Sequence, residues 1–560
     1  MDYKKFIAEN LNVNGVGKEE LESFIEVPPN RDMGDYALPC FKLSKTLRMP
    51  PVKIAEDLAA TFNKGDVISE VNAVNGYLNF KVDRGGYAFA LIEDVLKEDA
   101  NFGSSTEGNG KTVCIDYSSI NIAKPFHIGH LSTTVIGSAL YKIYNFLGYK
   151  AVGINHLGDY GTQFGKLIVA FKKWSSIERV EKYRLKELTD IYVRFHQEAK
   201  IHPEMDDEAR HYFKLIEDGD KESVKLFELF KRITLEEVDK IYKMLNVTID
   251  SYAGESFYND KMGAVVDELK AKGLLVKSDG ADVVDLNDYG MPPCLILKSD
   301  GSSLYATRDL AAAEYRKKTY DFYKCLYVVA YQQNLHFKQV FKVLELLGKP
   351  WAKDMVHVSY GMVSLESGAM STRDGNVVYL KDVIDKTVEK AKRVIEEKNP
   401  DIENKEETAK KVGTGAVVFS ALLNNKIKDI VFSYDRVLSF EGETCPYLQY
   451  TVARANSVLK KVGEPEYIGK TQLTDEEYAV VFELGRFKES VKAAAEKYEP
   501  SIITRYALDL AAAYNKFYIG CKIAVDDKAV KNFRLSLTKA VKTVLSNALT
   551  LLGIETVEQM

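Results

Sequence analysis

The stretch Thr112–Asp159, TVCIDYSSINIAKPFHIGHLSTTVIGSALYKIYNFLGYKAVGINHLGD, holds two strand patterns around one helical pattern. TVCIDYSS is a short continuous apolar run and reads as a buried strand. HLSTTVIGSALYKIYNFLG carries Val135, Leu140, Ile143, Tyr144 and Leu147 at helical spacing and ends on Gly148, a natural C-cap. YKAVGINHLGD reads as a second strand. Strand, helix, strand is one βαβ unit of a parallel, doubly wound sheet, so the fold class is α/β. Later strands are predicted at CLYVVA (325–330) and MVHVSYGMV (355–363).

Working outward, residues 1–108 read as a small α+β domain. VNAVNGYLNFKVD within it is a hairpin with Asn75-Gly76 at the turn. Residues 109–434 hold the α/β domain, with a helical insertion over about 175–290 and stem helices over about 381–434. Residues 435–560 read as wholly helical, from apolar i, i+3, i+4 spacing. GNGKT, ending at Thr112, imitates the end of a P-loop. Ser105 stands where the first glycine belongs, and the strand follows the motif instead of preceding it, so the P-loop reading is rejected.

The chain has 560 residues, a soft prior of about three or four domains. It is 46% hydrophobic and 28% charged, an ordinary globular composition. The net charge of -5 does not advertise a polyanion binder. Residues 501–560 carry eight Lys and Arg against five Asp and Glu, a local excess of +3. The six cysteines lie far apart with no CxxC pair, which argues against a zinc ribbon or a disulfide framework and fits reduced cytoplasmic thiols. No apolar run approaches the roughly 20 residues of a membrane span. The N-terminus lacks the apolar region of a signal peptide.

Within NIAKPFHIGHL, two of the chain's eight histidines, His127 and His130, stand three apart. A metal site needs three or four ligands, and ligand types are scarce nearby. Core packing is the second reading. Position favours a third. The motif lies where the first strand ends and the helix begins, the crevice where parallel sheets bind nucleotides and where free N–H groups favour phosphate. Gly129 removes a side chain where a ligand must come close, Lys124 adds a mobile charge, and Pro125 shapes the helix start.

HIGH after a strand resembles the signature of class I aminoacyl-tRNA synthetases. The wider string DYSSINIAKPFHIGHLSTTVIG resembles the arginyl-tRNA synthetase family. GDYGTQFGKL (158–167), YATRDLAAA (305–313), YVVAYQQNLHFKQVF (327–341), AMSTRDGNVV (369–378), SYDRVLSFEGETCPYLQYTVAR (433–454) and LLGIETVEQM follow in family order, so the resemblance spans essentially the whole chain. It implies a Rossmann-like catalytic domain of the class I (HUP) type at 109–434. It also implies an N-terminal domain that contacts the tRNA elbow and an all-α anticodon-binding domain at 435–560.

The implied reaction joins L-arginine to its tRNA in two steps. Arginine and ATP give arginyl-adenylate and diphosphate, and the 3′-terminal adenosine then takes the arginyl group. By resemblance, His127, Gly129, His130 and the loop Met370, Ser371, Thr372 and Arg373 contact ATP. His127, His130, Lys124 and Arg373 carry the catalytic charge stabilisation. Ser119, Asn121, His130, Tyr305, Asp309 and Gln333 contact arginine, and Asp116 adds negative charge nearby. Tyr447, Gln449, Tyr450 and Arg454 contact tRNA. The resemblance further implies Mg²⁺ with ATP, no structural metal, tRNA-dependent activation, a monomer, and a cytoplasmic location.

Three departures from the family pattern stand out. The second signature loop lacks its usual lysines: Ala369 and Thr372 hold their places, and Asp374 follows Arg373. Lys124 is the natural substitute. Ser119-Ile120-Asn121 replaces Ser-Pro-Asn, and Ser132 stands where an arginine often follows HIGHL. Two rivals are another HIGH-type nucleotidyltransferase and a tRNA-binding relative without catalysis. The long helical last third opposes the first, and the intact histidine pair opposes the second. The cysteinyl branch is disfavoured because its zinc-binding cysteines are missing.

Overall fold

The computed structural model describes residues 3–30, 33–65, 67–299, 301–302, 304–365, 378–439 and 441–560. Two compact units emerge. One comprises the chain up to Phe102 with Ala455–Arg486 and Asp509–Val544. The other comprises Gly103–Arg454, Phe487–Leu508 and Leu545–Met560.

The first unit carries an antiparallel sheet of β1 (Tyr36–Pro39), β2 (Ile68–Val74) and β3 (Tyr77–Val82), ordered β1-β3-β2. Asn75 and Gly76 both take positive φ, 51° and 80°, the conformation of the predicted two-residue hairpin turn. Helix Pro51–Thr61 starts with proline in its first turn, where no amide is needed. Helix Arg84–Glu98 is capped by the Asp83 carboxylate accepting from the Gly85 N–H.

The second unit is built on a four-stranded parallel sheet. Its strands include β4 (Thr112–Asp116) and β5 (Lys150–Ile154). Helix Leu131–Phe146 joins them, and Gly148 follows with φ 78°, as the C-cap reading requires. Val113, Cys114 and Ile115 are fully buried, as expected of a strand covered on both faces. Gly108 to Lys111 form a tight turn that feeds β4, so the P-loop look-alike is only a turn.

After β5 come helices Thr162–Trp174, Ile177–Glu198, Glu204–Glu217 and Lys221–Met244. The stretch expected to be helical does not stay so. β6 (Leu275–Ser278), β7 (Ala281–Val284) and β8 (Cys294–Leu297) form an antiparallel sheet. Asp279 and Gly280, with φ 48° and 81°, turn β6 into β7 by the same two-residue device as Asn75-Gly76.

β9 (Lys324–Tyr327) and β10 (Met355–His357) complete the parallel sheet in the order β10-β9-β4-β5. Cys114 of β4 faces Val152 of β5 on one side and Cys325 of β9 on the other. The chain therefore leaves β4 toward one edge and returns to its other side. That reversal makes the crevice beyond β4 and β9 the switch point of the sheet, where ligands bind in such folds. Helices Leu380–Lys398 and Lys405–Leu422 follow. Between their region and the C-terminal helices lies an unexpected strand, β12 (Ile430–Phe432), parallel to β11 (Val363–Leu365).

All six cysteines are free and buried. No described helix is long and apolar enough to cross a membrane.

Candidate active site

The chain leaves β4 at Asp116 and does not enter the helix directly. Ser118, Ser119 and Ala123 take positive φ of 74°, 41° and 60°, a region that costs non-glycine residues on the order of 1 kcal/mol each. Neighbours hold the loop in place. The Ser118 N–H donates to Thr133 Oγ1 at 3.0 Å, and the Ala123 N–H donates to Thr234 Oγ1 at 2.9 Å. Ser119 Oγ donates to Asp116 Oδ1 at 3.0 Å. Asn121 bridges to Gly158, where a Cβ would sit 2.2 Å from Asn121 Oδ1, so any larger residue there would displace the Asn121 side chain.

His127 is the N-cap of the short turn Ile128–His130 that opens helix Leu131–Phe146. Its Nδ1 accepts the Gly129 N–H at 3.1 Å, and His130 Nδ1 accepts the His127 N–H at 3.2 Å. Each neutral ring must therefore carry its proton on Nε2. Burial, then Lys124, hold the His127 imidazole down at about 4. Burial, then His127, hold His130 at about 3. Both are neutral donors at pH 7, beside a helix N-terminus.

The same backbone meets the exit of the second signature segment. Ile128 N–H donates to Val378 O at 3.1 Å, and Leu380 N–H donates to Phe126 O at 2.9 Å. Met370, Ser371, Thr372 and Arg373 themselves lie outside the described residues.

Asn121, Lys124 and Tyr305 line one cleft of about 660 Å³ with Tyr160, Glu255 and Tyr379. Tyr305 opens helix Tyr305–Tyr320 and is 70% exposed. Asp309, one turn on, accepts a 2.6 Å hydrogen bond from His336 Nε2, and His156 Nε2 lies 4.0 Å from its other oxygen. Burial works to raise this carboxyl. The His336 hydrogen bond, with the charges of His336, His156 and Arg316, outweighs it and holds Asp309 below the usual carboxylate range. Gln333 ends the turn Tyr331–Gln333 just beyond β9 and is exposed.

Asp116 behaves differently from its sequence reading. Its carboxylate is ion-paired at 2.7 Å to Arg316, which is only 1% exposed. Its negative charge is thus matched inside the protein before any ligand arrives. Glu255, by contrast, is raised to about 7, first by burial and against the pull of Arg308.

His156, Glu255, Arg316 and His336 were missed from sequence. The usable signals were position and rarity: His156 follows β5, and His336 lies three residues after Gln333.

Three family profiles match the chain. They are the class I (R) tRNA synthetase catalytic domain over residues 91–434, the arginyl-tRNA synthetase N-terminal domain over 1–82, and the DALR anticodon-binding domain over 448–560. The arginine–tRNA ligase of Alkaliphilus metalliredigens is 51% identical over 564 residues, covering 100% of both chains. That of Clostridioides difficile is 53% identical with the same coverage. The chain belongs to the arginyl-tRNA synthetase family. Among solved structures, the arginyl-tRNA synthetase of Thermus thermophilus matches with TM-score 0.82 and 27% identity, covering 96% of each chain.

The residues expected to meet tRNA lie where the match to the DALR domain begins, on helix Cys445–Val462. Tyr450 is exposed, with Arg454 over its ring at 4.8 Å, and Tyr447 is half-buried. Gln449 departs from its expected role. It is fully buried, and its amide nitrogen donates to Lys411 O at 3.2 Å and Glu555 O at 2.8 Å. It ties the helix to the stem and the C-terminal segment and presents no surface to RNA.

Proposed function

We propose that the crevice beyond β4 and β9 carries out both steps of arginine–tRNA ligation with the residues described above. The observation that carries this is the histidine pair. Two imidazoles are held neutral with Nδ1 engaged, which leaves two Nε2–H donors beside a helix N-terminus at the switch point.

In the first step an oxygen of the arginine carboxylate bonds to the α-phosphorus of ATP, and the bond to the bridging oxygen breaks, releasing diphosphate. His127 and His130 donate to phosphate oxygens as charge shifts onto them, and Gly129 admits the nucleotide. Lys124, with Met370, Ser371, Thr372 and Arg373, bears on the leaving diphosphate. In the second step a hydroxyl of the 3′-terminal adenosine attacks the arginyl carbonyl, and AMP leaves.

Ser119, Asn121, His130, Tyr305, Asp309 and Gln333 bind arginine. Asp309 is the carboxylate for the guanidinium, whose planar donors suit a bidentate partner. Tyr447, Tyr450 and Arg454 contact tRNA. We assign residues 1–108 to the tRNA elbow, 109–434 to catalysis and 435–560 to the anticodon. Mg²⁺ in this reading arrives on the phosphates of ATP. The protein acts in the cytoplasm as a monomer.

The deciding experiment is ATP–diphosphate exchange with each amino acid, with and without tRNA. Exchange with arginine alone, and only when tRNA is present, is the expected result. No exchange under either condition would instead favour a catalytically silent tRNA-binding relative, the reading to which the missing lysines around Arg373 point.

A further inference from the structure

Asp309 is hydrogen-bonded by one histidine and lies near a second, on two other segments. His336, on helix Asn334–Leu346, places Nε2 2.6 Å from Oδ2. A carboxylate only accepts, so this imidazole carries its proton on Nε2. His156, just after β5, places Nε2 4.0 Å from Oδ1. Its Nδ1 faces Arg316 Nη2 at 3.4 Å. A guanidinium only donates, so Nδ1 is the acceptor and His156 carries its proton on Nε2, the nitrogen 4.0 Å from Asp309 Oδ1.

Arg316 is in turn fixed by Asp116 at 2.7 Å, and Asp116 by Ser119 Oγ at 3.0 Å. The result is a hydrogen-bonded run, Ser119–Asp116–Arg316–His156, whose last ring comes within 4.0 Å of the Asp309–His336 pair. Together they extend from the loop after β4, past the end of β5, to the helices on either side of β9.

We propose that His336 is a positioning residue for arginine: it engages one lone pair of Asp309 Oδ2, sets the plane of the carboxylate, and leaves Oδ1 and the other lone pair of Oδ2 to receive the substrate guanidinium. A lone aspartate turns readily about its last torsion, which is broad and two-fold, and a fork-shaped ligand needs that torsion fixed. The hydrogen bond supplies the constraint. His336 acts only through Asp309, so its effect falls on arginine and not on ATP. The inference rests on Asp309 being the carboxylate that binds arginine.

The test compares His336→Gln and His336→Asn with Asp309→Asn in steady-state aminoacylation of tRNA. KM for arginine, KM for ATP and kcat are measured separately. Both amides are polar and suit a half-buried site. The Gln nitrogen reaches the place of Nε2, and the shorter Asn falls short of it.

His336→Asn is expected to raise KM for arginine roughly tenfold or more, the loss of one hydrogen bond to a charged group, with KM for ATP and kcat little changed. His336→Gln restores KM to near the parent value. The inference is overturned if Asn and Gln behave alike, or if either variant moves both KM values together. It also fails if Asp309→Asn leaves KM for arginine unmoved; in that case the assignment of Asp309 itself is what fails.

Discussion

His127 and His130 stand with ring centroids 3.9 Å apart, and each turns Nδ1 onto a backbone N–H of their own motif. One pair of side chains thus does two jobs. The Nδ1 atoms cap the start of a helix, and the Nε2–H groups are left as neutral donors.

The two jobs separate by substitution. Asn places a polar atom where Nδ1 was and is itself a good N-cap, but offers nothing at Nε2. His127→Asn is therefore expected to keep the parent's thermal midpoint within a few degrees while arginine-dependent exchange falls about 10²–10³-fold. His127→Ala should lose activity and also about 1 kcal/mol of stability. Equal melting of the Asn and Ala variants would refute the capping role.

The same pair sets a pH dependence. A free imidazole titrates near 6.5, whereas the folded values lie at about 4 for His127 and about 3 for His130. Between those limits the unfolded chain binds more protons, so stability is retained above pH 6.5 and lost as pH falls through this window. Urea midpoints measured from pH 7 to 4.5 should decline more steeply for the parent than for His127→Asn/His130→Asn. Parallel slopes would show that the rings are not held neutral by the fold.

Lys124 is a cause of both depressions and borders the cleft. Lys124→Ala should raise the titration points of His127 and His130, followed by histidine NMR, and lower arginine activation about a hundredfold. If activation is unchanged while Arg373→Ala abolishes it, the substitution of Lys124 for the missing signature lysines is wrong.

What could be read from the sequence was local. β4 announced itself because Val113, Cys114 and Ile115 are contiguous and buried on both faces. His127 and His130 showed because capping partners are sequence neighbours. The β6–β7 hairpin was absorbed into a helical insertion because its strands are only partly buried and short, although Asp279-Gly280 carried the turn. β12 is three residues long and exists by pairing with β11, a contact across most of the stem. His336 and His156 gain meaning only from Asp309, which reaches one across 27 residues of chain and the other across a full crossover. Rarity marked them as unusual, but only folding shows what they face.

The approach of helix Leu131–Phe146 to the sheet depends on Gly137. A Cβ there would lie 2.3 Å from Tyr117 Cβ and Cγ. Tyr117 heads the loop that carries Ser119 and Asn121. Gly137→Ala should cost about 1–3 kcal/mol in chemical denaturation, because helix or loop must shift, and aminoacylation should fall with it. A variant as stable as the parent would show that the contact relaxes freely.

The C-terminal residues make opposite predictions for structure and binding. Gln449→Ala removes a fully buried side chain and its two part-buried hydrogen bonds to the Lys411 and Glu555 carbonyls, so it should cost about 1–3 kcal/mol of stability. Its KM for tRNA should stay at the parent value wherever the protein remains folded. Tyr450→Ala removes an exposed ring beneath Arg454 and should cost little stability. If that ring stacks on an unpaired base, tRNA affinity falls by about 1–3 kcal/mol, or roughly 5- to 150-fold in KM. Because the two residues are neighbours on one helix, a general disturbance of that helix would move both quantities in both variants. A crossed result, with stability lost in one and tRNA binding in the other, places the RNA contact on the Tyr450 face. Unchanged tRNA binding in Tyr450→Ala removes that face from the interface.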